Sequence, residues 1–195
     1  MRIGLDIDNV ISNFDKKLME ELIKEDKNKR NTGIINHNAN NIYEMFDWSN
    51  EEIEEFFCNN CEEWAKTLEL NEEAKYFIDK IMSDGDEVYL ISHRVYPHYK
   101  NPFEITKQWL KDKKIKYTKL IISKETDKTP ECKECKVDIM FDDSADNCNK
   151  MILGGINCYL YRGKTMYDKT PYGNLRVIQN WEELYHEILK LKFNK

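Results

Sequence analysis

No apolar run in this chain of 195 residues approaches the length of a membrane span, which excludes a transmembrane helix. The sequence runs from Met1 directly into a strand-like stretch with no targeting segment, so a soluble, cytoplasmic protein is expected. Positive charge is in short supply: 30 Lys and Arg stand against 36 Asp and Glu, for a formal net charge of −6. That balance argues against general affinity for nucleic acid polymers or anionic membranes, although a locally positive pocket can still take a small anion. There is no repeat and no linker, and the length fits one domain, or one core carrying a substantial insertion. Six cysteines do not make a disulfide framework in such a chain. Cys58 with Cys61 and Cys132 with Cys135 form two CxxC pairs, but 70 residues separate them, far from the spacing of a zinc ribbon. Both pairs lie in helix-like sequence and read as small, part-buried residues, with structural zinc as the alternative.

The material for a core is present, at 41% hydrophobic and 12% aromatic residues. Short apolar runs at Arg2 to Asp8, Glu87 to Ser92, Lys119 to Ile122, Val137 to Asp142 and Ile156 to Tyr161 alternate with helical patterns. Ala74, Phe77, Ile78, Ile81 and Met82 keep helical spacing up to a stop at Gly85, and Trp181, Leu184, Tyr185, Ile188 and Leu189 form an amphipathic C-terminal stripe. Such alternation predicts an α/β fold: a Rossmann-like parallel sheet of about five strands covered on both faces. Residues 14–70 break the pattern with helical stretches around an Asn-rich loop and no strand-like run. They read as a small helical cap inserted after the first strand, over a core of residues 1–13 and 71–195. A cap there lies over the carboxyl edge of the sheet, where open α/β sheets bind ligands.

The ends of the strands carry the chemistry. The first presents Asp6-Ile7-Asp8-Asn9, two carboxylates one residue apart, which alternation would place on one face. Buried unpaired acids are expensive, so the pair makes sense around a divalent cation, or as a nucleophile beside a general acid. Ser92 ends the second run and Asp142-Asp143 the fourth, while Lys128 stands 14 residues before Asp142, where a helix leading into that strand would begin. Lys124, Lys133 and Lys136 are neighbours of the same type, and only the spacing to Asp142 singles out Lys128. As ordinary surface acids, Asp6 and Asp8 would leave this convergence unexplained. Acids, a hydroxyl and an ammonium at one rim suit a phosphate site with a metal. Phosphoryl transfer to a carboxylate needs Mg2+ to offset the repulsion of two anions, and Asp6 and Asp142 can supply its oxygen ligands. Ser92 can donate to a phosphoryl oxygen, Lys128 can neutralise charge, and Asp8 can protonate the leaving oxygen and then deprotonate water. Asp143 and Asp146 are ambiguous; Asp146 equally suits the first turn of a helix.

The pattern Asp6-Ile7-Asp8, Ser92, Lys128 and Asp142-Asp143 resembles the four motifs of the haloacid dehalogenase-like phosphohydrolases, in order and across nearly the whole chain. Within them it most resembles the 5′(3′)-deoxyribonucleotidase-like group, on Ile3 to Val10, the small helical insertion, Asp142-Asp143-Ser144 and the Trp181-Glu182-Glu183-Leu184 tail. The resemblance implies an aspartyl-phosphate mechanism with Asp6 as nucleophile and Asp8 as acid and base. It also implies Mg2+ held by Asp6, the backbone carbonyl of Asp8 and an acid of the Asp142-Asp143 pair. A second Asp in the first motif marks phosphatases. Where the family commonly has Gly after that Asp, this chain has Asn9; Asn tolerates the left-handed region, so the turn can form and present N–H groups to a phosphate. A base would stack on cap aromatics, for which Phe14, Tyr43, Phe46, Trp48 and Trp64 are candidates, most of them expected in the cap's own core. His93, Arg94 and His98 follow Ser92 as possible substrate contacts, against ordinary loop polarity. The expected activity is a Mg2+-dependent phosphomonoesterase for (deoxy)nucleoside monophosphates, or alternatively for sugar phosphates or another small metabolite, working as a monomer or homodimer. A receiver domain would need an acid on the third strand, where this chain has Ser123.

Overall fold

The apolar runs become the strands of one parallel sheet. The computed structural model describes residues 1–164, 166–169 and 171–193. Its strands are β1 (Arg2–Leu5), β2 (Glu87–His93), β3 (Lys119–Ser123), β4 (Ile139–Asp142), β5 (Cys158–Tyr161) and β6 (Val177–Ile178), in the order β3-β2-β1-β4-β5-β6 with every pairing parallel. The sequence predicts five; β6 adds a sixth, and its two residues are too few to show a period. β1 lies between β2 and β4, where the winding of the sheet reverses, and this switch point opens a crevice at the carboxyl ends.

Seven helices connect and cover the strands among the described residues: α1 (Phe14–Lys29), α2 (Asn50–Thr67), α3 (Ala74–Ser83), α4 (Pro102–Asp112), α5 (Thr129–Glu134), α6 (Ala145–Leu153) and α7 (Trp181–Phe193). Strand residues alternate between two apolar clusters, as the two-residue period of a strand requires. Leu5, Val88, Leu90, Ile139 and Phe141 pack with side chains of α3, α4 and α7, including Trp109, Trp181 and Leu184. Tyr89, Ile91, Met140 and Leu160 face α5 and α6. Gly4 sits on this second side, where a Cβ would come within 2.6 Å of the Met140 sulfur. Cys132, Cys135, Cys148 and Cys158 are all buried in the second cluster, and among the described residues the two CxxC pairs share no ligand cluster. A third cluster belongs to residues 14–70, where Leu18, Leu22, Met45, Phe46, Phe56 and Trp64 pack together and onto Tyr99. Ser49 and Glu52 close a capping box that starts α2. No helix of the described residues is long and apolar enough to cross a membrane.

Leu184 is fully buried where α7 meets the sheet, far in sequence from the strand ends that carry the acids. Leu184→Ala is expected to cost about 2–5 kcal/mol of stability through lost burial and a residual cavity. Urea unfolding followed by circular dichroism should show a lower midpoint at an unchanged slope.

Candidate active site

β1 ends at Leu5, so both acids of the first motif stand in the turn beyond the strand and not on one strand face. The Asp6 N–H makes the last rung to β4, donating to the Phe141 carbonyl at 2.9 Å. The N–H groups of Ile11 and Ser12 then both reach back to the Ile7 carbonyl at 2.9 Å. The turn passes through Asn9 at φ +60, the left-handed conformation that Asn accepts in place of Gly. Asn71 clamps it from outside, its Nδ2 donating to the carbonyls of Asn9 (2.7 Å) and Val10 (2.8 Å).

The two acids have different partners. Asp6 is buried and its Oδ2 lies 2.8 Å from the ammonium of Lys128, while its Oδ1 accepts the Ile7 N–H at 2.7 Å. Lys128 caps α5, is fully buried, and donates also to Asp142 Oδ2 at 2.7 Å. Asp142 ends β4; its Oδ1 accepts from the Ser144 N–H at 3.0 Å and from Asn147 Nδ2 at 3.4 Å. The Asn9 amide donates to Asp143 Oδ2 at 2.9 Å, so that Asp6, Asp142 and Asp143 bring one oxygen each within 4.8 Å of the others. Asp8 instead meets Arg94, whose Nε and Nη2 donate to its two oxygens at 2.9 and 2.5 Å. Asp146 stands apart, in the first turn of α6, paired with Lys150.

Ser92 is the penultimate residue of β2 and is buried, two residues beyond Leu90, which pairs with the last residue of β1. A cavity of about 520 Å³ opens above Asp8, walled by Phe14, Tyr43, Phe57, Tyr99, His93 and His98. A smaller hollow of about 260 Å³ shares Asp8, Phe14 and Tyr43 with it and reaches Asn9 and Asp143. Of the aromatics singled out in the sequence, Phe14 and Tyr43 line this space, while Phe46 and Trp64 are buried in the apolar cluster of residues 14–70. Trp48 packs edge-on to Phe56 and donates its Nε1–H to Asp26 at 3.3 Å. These three therefore do not wall the cavity, because they pack into the apolar cluster of residues 14–70. Arg94 is likewise not open to a ligand: it is buried, paired with Asp8, and donates to Thr106 at 2.9 Å. His93 does reach the cavity, and burial holds its imidazole below the ordinary value. The sequence offered one signal for the Arg94 fork, a cation placed two residues after Ser92 at the strand end; for the Asn71 clamp it offered none.

Residues 1–194 match the family model described as 5′ nucleotidase, deoxy (pyrimidine), cytosolic type C protein. The chain belongs to that family. It is a hydrolase of the phosphatase type within the haloacid dehalogenase-like superfamily. Solved structures share the fold. A family hydrolase from Deinococcus radiodurans R1 with bound phosphate and sodium is 8% identical at a TM-score of 0.61, covering 98% of this chain and 96% of its own. A haloacid dehalogenase-like protein of unknown function from Agrobacterium tumefaciens is 10% identical at 0.62, covering 98% of each. β-Phosphoglucomutase from Clostridium difficile is 15% identical at 0.51, covering 99% of this chain and 96% of its own. No curated protein matches.

The electrostatics of this nucleotidase-family site are those of a cluster short of positive charge. Burial pushes Asp6 from 3.8 up to about 6, against the pull of Lys128 and with the push of Asp142 and Asp8. Burial, then Asp6 and Asp142, raise Asp143 well above the carboxylate range. Burial alone would lower the Lys128 ammonium, but Asp142 and Asp6 outweigh it and hold the group above its ordinary value. Burial and an excess of charge raise Asp6 and Asp143: with all three carboxylates ionised, the one ammonium would leave two negative charges uncompensated. A divalent cation would balance them, and an all-oxygen donor set suits Mg2+, the ion that phosphatases of this superfamily generally use.

Lys128→Met should therefore destabilise the chelator-treated protein by about 3–5 kcal/mol at neutral pH, by leaving buried carboxylates unpaired. Adding Mg2+ should recover part of that. The deficit should also shrink as pH falls toward about 6, since removing Lys128 takes away the pull that holds Asp6 down to about 6, so the variant's Asp6 takes up its proton at a higher pH than in the parent chain. Urea titrations with and without Mg2+ across this range test each element.

Proposed function

We propose that this chain is a Mg2+-dependent phosphomonoesterase acting through an aspartyl-phosphate on Asp6, with (deoxy)nucleoside monophosphates as substrates and residues 14–70 as the cap that selects them. The observation that carries the reading is the buried Asp6–Lys128–Asp142 assembly set beside a cavity with aromatic walls. Its volume lies in the range of small-molecule sites, about 300–1,000 Å³. The family's description, a pyrimidine deoxynucleotidase of cytosolic type, supports both the substrate class and a cytoplasmic setting.

Asp6, Asp142 and Asp143, with the Asp8 carbonyl, would hold Mg2+, which when bound offsets the charge of the phosphate. In the first step the Asp6 carboxylate attacks phosphorus as the bond to the ester oxygen breaks, and Asp8 delivers a proton to that oxygen. Water then attacks the acyl phosphate, Asp8 takes its proton, and inorganic phosphate leaves with Asp6 restored. Lys128 neutralises charge beside the nucleophile, while Ser92 and the N–H groups of the Asn9 turn meet the phosphoryl oxygens. Arg94 donates to both oxygens of Asp8 and fixes its direction, so proton delivery requires Asp8 to leave part of the fork when substrate is bound. Phe14 and Tyr43 offer π faces to a base, and Asn41, Asn50 and Glu44 supply the polar groups of the same cavity.

Hydrolysis of nucleoside monophosphates, sugar phosphates and p-nitrophenyl phosphate, with Mg2+ or EDTA, tests the reading. Asp6→Asn should lower kcat by at least about 10⁴-fold, as loss of a nucleophile does elsewhere. Wild-type turnover in that variant would exclude the covalent mechanism. Nucleotides should exceed sugar phosphates in kcat/KM by at least about tenfold, and equal rates would exclude the nucleotide assignment. Phe14→Ala should raise KM for nucleotides by up to about tenfold, the worth of one aromatic stack, and leave KM for p-nitrophenyl phosphate nearly unchanged.

A further inference from the structure

Glu54 and Cys58 stand one turn apart on α2, and His98, from the segment between β2 and α4, closes on them. One donor atom of each lies within 4.8 Å of the others. Cys58 Sγ is 3.7 Å from Glu54 Oε1, and His98 Nε2 is 3.0 Å from the same oxygen. Zinc bonds of about 2.0–2.3 Å in a tetrahedron set neighbouring donors about 3.3–3.5 Å apart. Two edges of such a site are thus already within a few tenths of an ångström. The third needs only side-chain rotation at the surface, where Glu54 is exposed and the other two half-buried.

The donors decide the ion. A thiolate, an imidazole and a carboxylate suit a borderline-soft ion, whereas Mg2+ takes oxygen throughout. The position is also built: the His98 ring rests against Phe57 of α2, with 5.7 Å between centroids, and leaves Nε2 directed at Glu54. Glu54 and His98 both line the cavity that reaches Asp8.

We infer that Glu54, Cys58 and His98 form a second metal site, for zinc or a similar divalent transition ion, in the cap-side wall of the cavity. Binding makes one bond each to sulfur, nitrogen and oxygen, releases the thiol proton to solvent, and involves no change of oxidation state. It ties α2 to the segment that carries His98. Three protein ligands leave a fourth position for water or for a donor atom of a molecule in the cavity. The site is separate from the Asp6–Asp142–Asp143 cluster in place, ligands and ion. Without a metal the same side chains make an ordinary histidine–carboxylate hydrogen bond and a weak thiol hydrogen bond, and the test distinguishes the two states.

The full chain, reduced and stripped of metal, would be titrated with Co2+ and then Zn2+ in the presence of excess Mg2+ to occupy the acid cluster. One equivalent of Co2+ should give a near-ultraviolet thiolate charge-transfer band with intense tetrahedral visible bands, and Zn2+ should displace it. Cys58→Ser should abolish the charge-transfer band. His98→Asn and Glu54→Gln should each weaken Zn2+ binding by at least about tenfold in competition with a chromophoric chelator. Cys61→Ser and Cys132→Ser should retain both the band and the affinity. Circular dichroism and thermal unfolding of each variant establish that it is folded. Absence of the band in the wild-type protein, its persistence in folded Cys58→Ser, or unchanged zinc affinity in folded His98→Asn would each overturn the assignment.

Discussion

The buried ammonium of Lys128 is the contact on which the site depends. It holds Asp6, just beyond β1, and Asp142, at the end of β4, within hydrogen-bond reach of one atom. Those strands are adjacent at the switch point of the sheet, so their ends meet whether or not chemistry is done there. Adjacency alone would set two carboxylates side by side in a dry crevice, at considerable cost. A lysine fixed at the start of α5 reduces that cost without removing it, because a third acid, Asp143, joins the cluster. The imbalance that remains is poor design for stability and good design for a cation and a phosphate. Burial pushes Asp6 and Asp143 up for want of further positive charge, which a divalent ion would supply.

The sheet was legible in the sequence because its strands are covered on both faces. β2, β4 and β5 are apolar nearly end to end, which marks parallel strands whatever their order. Where that signal fails, so does the reading. Val177 and Ile178 are two residues of strand with no period to detect. The end of β1 is set by a turn whose bonds run to Ile7, and nothing in Asp6-Ile7-Asp8 reveals that the strand stops at Leu5. For the same reason, strand alternation was the wrong ground for pairing the two acids. They pair with different cations, Asp6 with Lys128 and Asp8 with Arg94. Residue type and spacing placed Lys128 at a helix start, but they could not show that Arg94 is spent on Asp8. Aromatic identity was equally blind: Phe14 and Trp64 look alike as base platforms, and only packing assigns one to the cavity and the other to the core.

The insertion is tied to the chemistry by where it begins. The chain leaves the Asp8–Asn9 turn at Ser12 and returns at Leu70, and these two residues form an antiparallel bridge. The Asn13 N–H donates to Glu69 and the Asn71 N–H to Ile11, at 2.9 and 2.8 Å, so both ends of the insertion are fastened beside the turn. Phe14 opens α1 directly after this clasp and walls both the larger and the smaller hollow. Phe14 and Asp8 are thus separated by five residues of chain and one bridge. The start of α1 is fastened directly to the turn that bears Asp8.

Asn9 shows how one substitution serves both requirements. Glycine would reach φ +60 at no steric cost, but it would carry nothing into the site. Asparagine accepts the same backbone and adds an amide. Its Nδ2 donates to Asp143 of the acid cluster and, at 2.8 Å, to Asp15 in the first turn of α1, while its Oδ1 accepts the Asp15 N–H at 2.8 Å. Asp15 in turn accepts the Tyr167 N–H at 2.9 Å, and Arg162 donates to the Asp143 carbonyl. The turn after β1, the acid after β4 and the first helix of the insertion are therefore joined through a single side chain. Departure from glycine here does not loosen the turn after β1. It replaces conformational freedom with a hydrogen-bonded junction, and it fixes the direction of the Asp143 carboxylate before any cation is bound.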